Sequence, residues 1–139
     1  MLVSITRLRL ISWTHLFKFS KLSNPALEQA VQDPNCLAVA TYMGPWLTFW
    51  TATVWTDEPS MRKYVLTEPH KSTLPWFSRI CSEGATTHYE TDKSELPQKT
   101  DIVAKVAQAP KFFRVEKPTA AHEAKIIPAK KPWFMTKLK

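Results

Sequence analysis

From Val3 to Leu10 the chain alternates. Val3, Ile5, Leu8 and Leu10 are apolar, Arg7 and Arg9 stand between the last of them, and the alternation slips near Thr6. A period of two predicts a half-buried strand. The stretch 13–22 is apolar-rich with Lys18 and Lys21 on its polar side, which predicts a looser helical or turn segment. Asn24 before Pro25 offers a cap and a first-turn proline, Ala26, Leu27, Ala30 and Val31 fall at helical spacing, and Asp33-Pro34 ends the run. The pattern predicts a helix over 25–32. Residues 36–42 read as a second strand and Met43-Gly44-Pro45 as a tight connection. Residues 46–56 are almost all aromatic, β-branched or Thr, as a strand favours. Both faces of this third strand carry large apolar groups, so it is expected to be central and covered on both sides.

Asp57 is placed to cap the next helix, Pro59 is tolerated in its first turn, and Met61, Tyr64 and Val65 give it one apolar face. Pro69 and Pro75 each remove a backbone donor, so 58–82 is expected to form two or three short helical pieces. Residues 86–91 read as strand four. The order strand, helix, strand, strand, helix, strand predicts an α+β, ferredoxin-like βαββαβ domain over 1–92: a four-stranded antiparallel sheet with its helices on one face. The other sheet face would be bare in a monomer. It is expected to be covered by a second copy, as homodimer or pseudo-dimer, or by another subunit.

After Asp92 the periodicity fades. Residues 93–104 read as a polar linker containing Pro97, with a short helix over 101–108 through Ile102, Val103 and Val106. Beyond Pro110 no period is sustained, and apolar residues come in pairs: Phe112-Phe113, Ile126-Ile127 and Trp133-Phe134. This segment holds the charge. Residues 105–139 carry nine Lys/Arg against Glu116 and Glu123, which is the whole net charge of +7, whereas the first 104 residues balance to zero. A near-neutral domain with a basic, extended C-terminal tail is therefore expected. Such a tail cannot bury enough surface alone to order itself.

The segment from Thr53 through Lys71 (TVWTDEPSMRKYVLTEPHK) resembles a pattern in the antibiotic-biosynthesis-monooxygenase-like dimeric α+β barrels. In those proteins a strand ends in Trp, acidic residues open a helix, and a turn with Pro-His follows. The positions that match are Trp55, Asp57, Glu58, Met61, Tyr64 and His70. The opening strand and the helix end from Gln29 to Pro34 are also similar to a branch of small bacterial proteins near the spheroidene-monooxygenase type. The resemblance covers residues 1–92. It implies the same fold, dimerisation through open sheet faces, and either cofactor-independent or haem-dependent oxygenation, or no activity. Cofactor-free members often place an Asn on the first strand beside the Trp and His. Here Ser4, Thr6 and Arg7 stand there instead.

His70 is the candidate general base or haem ligand, because His70, Leu74, Phe77 and Cys81 form one inward stripe if the helix starts at Pro69. Trp55 is its candidate companion in an apolar cleft. His15 and His88 have no companions at metal spacing. With Gly44 and Gly84 as the only glycines, a phosphate-cradling loop is excluded. Cys36 and Cys81 match no zinc or redox spacing and read as buried thiols of a reducing compartment. The chain shows no signal-peptide or membrane-spanning pattern, and a cytoplasmic protein, peripheral to a membrane complex at most, is expected. In the tail, Phe112, Phe113, Arg114, Lys130, Lys131, Trp133 and Phe134 are the candidate partner-binding residues. Aromatic pairs at wide spacing suit protein pockets; with Arg114 the lone arginine, nucleic acid fits less well, as does an anionic membrane surface. Two functions follow as expectations. The first is a non-catalytic accessory or structural subunit tethered to a larger assembly by its tail, with no cofactor. The alternative is a monooxygenase or haem-binding enzyme acting on an apolar substrate at Trp55 and His70.

Overall fold

The computed structural model describes residues 1–139. The strands are β1 (Leu2–Leu10), β2 (Cys36–Gly44), β3 (Thr48–Trp55), β4 (Cys81–Glu90), β5 (Lys111–Phe112) and β6 (Phe134–Lys137). The helices are α1 (Leu16–Gln32), α2 (Glu58–Val65), α3 (His70–Ile80), α4 (Ile102–Gln108) and α5 (Ala120–Glu123). The first ninety residues form the expected α+β, ferredoxin-like unit. Asp57 caps α2 by accepting a hydrogen bond from the Ser60 N–H at 2.8 Å. The helical region breaks between Val65 and His70, whereas Pro75 sits inside α3 without ending it. The first helix is longer than expected and carries Pro25 within it. Pro25 cannot donate to the carbonyl four residues back, but that carbonyl belongs to exposed Lys21, where water can replace the bond.

The sheet has six strands, not four, in the order β5-β4-β1-β3-β2-β6, every pair antiparallel. Both added strands come from the C-terminal segment, so the expectation of an extended tail is corrected. β5 pairs with edge strand β4 and β6 with edge strand β2, closing hydrogen-bonding edges that would otherwise stand open. Between them the chain crosses the sheet on the side away from α1–α3. There Val3, Ile5, Ala40, Trp50, Ala52 and Val54 form a buried layer completed by Ile102 and Val106 of α4, both wholly inaccessible, with Leu96 and Ile127 packed on it. The Tyr42 hydroxyl donates to the Pro97 carbonyl at 2.6 Å, and that of Thr87 to Ala109 at 3.0 Å. The face expected to await a second copy is thus covered by the chain's own residues. The segment lacks a core of its own and orders by using the domain's.

The slip in alternation near Thr6 is not a slip. The β1–β4 register is unbroken from Leu2 through Arg9 and turns Arg7 inward on this far face, where its guanidinium meets Glu83 of β4 at 2.8 Å with both side chains almost inaccessible. On the opposite face, Gly84 has a packing reason. A Cβ there would lie 2.0 Å from the ring of Phe113, which folds over β4 from the extension. Gly84→Ala should therefore expel the ring and destabilise the fold by about 1–3 kcal/mol, read by urea unfolding.

Candidate functional site

A cleft of about 660 Å³ lies between the sheet and helices α1–α3. Its floor follows from register. Thr6 faces Thr51 and Thr86, and Thr51 faces Thr41, which faces Thr136. Five threonines thus cross five strands in one row, about 4.8 Å from strand to strand, all lining the cleft. The hydroxyls of Thr6 and Thr86 lie 3.4 Å apart. One row toward the β2–β3 loop, Leu8, Phe49, Met43 and Phe134 present apolar surface; one row the other way, Ser4, Thr53 and His88 present polar surface. The helices add an apolar roof of Leu16, Phe19, Leu27, Leu74 and Phe77. The floor is therefore striped, half hydrocarbon and half hydroxyl.

His70 opens α3 at the cleft wall. Its backbone N–H donates to Gln29 Oε1 at 3.0 Å, and Gln29 Nε2 donates to the carbonyls of Tyr64 and Thr67, so α1 fixes the loop before α3. His70 Nδ1 lies 3.0 Å from the Val65 carbonyl. A carbonyl can only accept, so Nδ1 carries the proton and Nε2 keeps its lone pair. Burial holds the imidazole below the usual histidine range, outweighing the Val65 hydrogen bond, and so favours the neutral ring. Trp55 and His70 both line the cleft. Tyr64 stands between them, its ring centroid 5.0 Å from Trp55 and 4.6 Å from His70. The Tyr64 hydroxyl is engaged by the Ala26 carbonyl at 2.9 Å and the Trp55 indole N–H by Thr53 Oγ1 at 2.8 Å, so both act as apolar wall. The stripe His70, Leu74, Phe77 does line the cleft, while Cys81 has passed into β4 and is buried.

The extension residues divide. Phe112 and Phe113 pack inward, Arg114 reaches the cleft, and Lys130 lies over the Trp46 ring at 5.2 Å. Lys131, Trp133 and Phe134 are exposed, with the Trp133 N–H donating to the Met43 carbonyl at 2.8 Å. Cys36 and Cys81 are free and buried, and burial pushes their thiols up to about 11 and about 12. No helix is long and apolar enough to cross a membrane. The lining fits a haem poorly. Arg114 is the one permanent cation there, so the two propionates of a haem would find a single partner, and the donor set suits a neutral ligand better.

Sequence reasoning missed the threonine row and Gln29. Thr6, Thr41, Thr51 and Thr86 were visible as single strand residues, but their meeting depends on register across four strands, which no local pattern carries.

No protein-family model and no curated protein matches the chain. Solved structures do. An antibiotic biosynthesis monooxygenase is 18% identical with a TM-score of 0.59, over 67% of this chain and 100% of its own. A variant of SnoaB, a cofactor-independent oxygenase from Streptomyces nogalater, is 13% identical with a TM-score of 0.53, over 70% and 97%. A protein from Pseudomonas aeruginosa is 11% identical with a TM-score of 0.58, over 66% and 94%. These proteins are matched over nearly their full length, while about a third of this chain has no counterpart in them. At such identities the likeness is one of architecture, and the chain has the α+β fold of the antibiotic-biosynthesis-monooxygenase-like proteins.

Proposed function

We propose that the chain is an oxygenase-type enzyme that binds a flat, largely apolar substrate bearing hydroxyl or carbonyl groups and uses His70 as general base. The observation that carries this is His70 itself: Nδ1 is tied to Val65 and the ring lines the cleft, which leaves Nε2 as a positioned acceptor. The substrate would lie across the strands, oxygens on the threonine row and hydrocarbon on Leu8, Phe49 and Met43. His70 Nε2 takes a proton from an activated C–H or O–H, and the resulting anion is electron-rich enough to reduce dioxygen. In the balanced form an activated CH2, or the ring C–H of a phenol that becomes CH2 in its keto tautomer, and O2 give C=O and H2O, the proton passing through His70. The fold likeness to proteins named as monooxygenases supports the same class.

His70→Ala should lower turnover by about 10²–10⁴-fold while changing substrate affinity little. Oxygen uptake with a dihydroxynaphthalene, alongside binding by tryptophan fluorescence, reads both. The rate should be level at neutral pH and fall as His70 protonates, below the usual histidine range. Equal rates for wild type and His70→Ala would sink the assignment.

A non-catalytic accessory subunit is the second reading, favoured by Ser4 and Thr6 standing on β1 where cofactor-free members of the family it resembles often carry an Asn. With residues 105–139 folded on the sheet, Trp133, Phe134, Lys130 and Lys131 would have to carry any tether to protein subunits. Ligand binding without any oxygen uptake, together with partner capture lost in Trp133→Ala/Phe134→Ala, would favour it.

A further inference from the structure

One end of the molecule gathers exposed aromatic side chains. β1 leaves the sheet at Leu10 beside the β2–β3 loop, where the Leu10 N–H donates to the Leu47 carbonyl at 3.1 Å. The Ile11 N–H donates to Ile80 at 2.9 Å, bringing the end of α3 there, and the Trp133–Met43 bond brings the chain before β6. Trp13 and Phe17, one helical turn apart, are 72% and 80% exposed, and Trp46 and Trp133 are 54% and 58% exposed. Trp76 is also exposed. Cations lie over these rings: Lys18 at 3.8 Å and Arg79 at 5.4 Å from the Trp76 centroid, Arg9 at 5.5 Å and Lys130 at 5.2 Å from that of Trp46. Acids are scarce at this end. Glu83 is buried on Arg7 and Arg9, and Glu116 pairs with Arg79 at 3.8 Å. Carboxylates concentrate at the opposite end, where β1 begins: Asp57, Glu58, Glu90 and Asp92 ring a small depression there, with Glu58 paired to Arg62.

Trp46 is held against its backbone preference. Trp46 and Leu47 have φ of 58° and 56°, the left-handed region that glycine or asparagine would occupy more cheaply in a tight strand connection. Leu47 gains core contact in return, but Trp46 remains more than half exposed with only Arg9 and Lys130 over its ring. A bulky ring kept at a strained, exposed loop tip points to a use outside the fold.

We infer that this end docks on an anionic lipid bilayer, with Trp13, Phe17 and Trp46 at the headgroup boundary and Arg9, Lys18 and Lys130 against the lipid phosphates. Tryptophan at the water–hydrocarbon boundary with cations beside it is the composition an interfacial site requires. The cations that accompany these rings, rather than acids, match the phosphates of an anionic headgroup layer. The apolar row of the cleft, Leu8, Phe49, Met43 and Phe134, lies toward the same end, so a lipophilic substrate could enter from the membrane. That last step rests on the proposed function; the docking does not.

The test uses the full chain and vesicles of phosphatidylcholine and phosphatidylglycerol in equal parts, against phosphatidylcholine alone. Co-sedimentation and a blue shift of tryptophan emission are expected with the anionic vesicles only. Trp13→Ala/Phe17→Ala should weaken binding at least about tenfold, since each ring otherwise buries apolar surface. Trp46→Gly should weaken it too while leaving Tm equal or higher, which separates docking from folding. Failure to bind anionic vesicles at low salt would overturn the inference. So would unchanged binding in the aromatic variants, or displacement by single-stranded oligonucleotide that those variants still bind. Vesicle binding retained in an inactive His70→Ala protein would leave it intact.

Discussion

Removing residues 93–139 should make the protein self-associate or precipitate more than the full chain does, seen by sedimentation velocity of the full chain and of 1–92. The truncation uncovers the apolar layer of Val3, Ile5, Ala40, Trp50, Ala52 and Val54 together with both sheet edges, β4 and β2. A contiguous apolar face flanked by open edges is an association surface. A graded version keeps the chain whole. Ile102→Ala, at a position with no solvent access, should cost about 2–5 kcal/mol in urea unfolding. If 1–92 stayed monomeric at high concentration with unchanged stability, the extension would be an ornament rather than part of the core.

Glu83→Ala should destabilise the protein by about 3–5 kcal/mol, because it strands the Arg7 charge beneath the extension. Arg7 lies in the far-face layer with its Nε unpartnered, and its guanidinium is 5.8 Å from the Trp50 ring centroid. Glu83 accepts from Arg7, Arg9 and the Thr119 hydroxyl, the last from the extension itself. Arg7→Met with Glu83→Leu should recover most of the loss, since an apolar pair leaves no orphaned charge. The pH dependence has a definite sign. Burial pushes the Glu83 carboxyl up, but the hydrogen bonds from Thr119 and Arg7 and the nearby guanidiniums outweigh it, so its folded value lies below the usual carboxylate range. The contribution is full above the unfolded carboxylate value and is lost as pH falls through the depressed folded one. Urea midpoints across an acid series should show wild type losing this advantage over Glu83→Ala.

The βαββαβ unit was legible because its signals are local. The aromatic and β-branched run of β3, the Asp57 cap and the break before His70 each depend on neighbouring residues alone. His70 was legible for the same reason, through its spacing to Leu74 and Phe77. The extension was not, because what orders it is elsewhere. β5 and β6 are strands of two and four residues that exist only by pairing with β4 and β2. Phe112 and Phe113 read as anchors for a partner, but Phe112 packs on the domain's far face and Phe113 over Gly84 on the other. The burial of Arg7 was not legible either, because its partner Glu83 comes from β4, far away in sequence. The cleft floor has the same origin: five threonines from five strands form one site only once the sheet is assembled.

The central claim is that the cleft binds an oxygen-bearing, largely apolar molecule against His70. A crystal structure of the full chain with a dihydroxynaphthalene, anaerobic so that nothing is consumed, tests it most directly. The account predicts the ring system lying across the strands, with one oxygen within hydrogen-bond distance of His70 Nε2 and others along Thr6, Thr51 and Thr86. A ligand bound elsewhere, or a His70 ring turned so that Nε2 faces Val65 and Nδ1 the ligand, would contradict it.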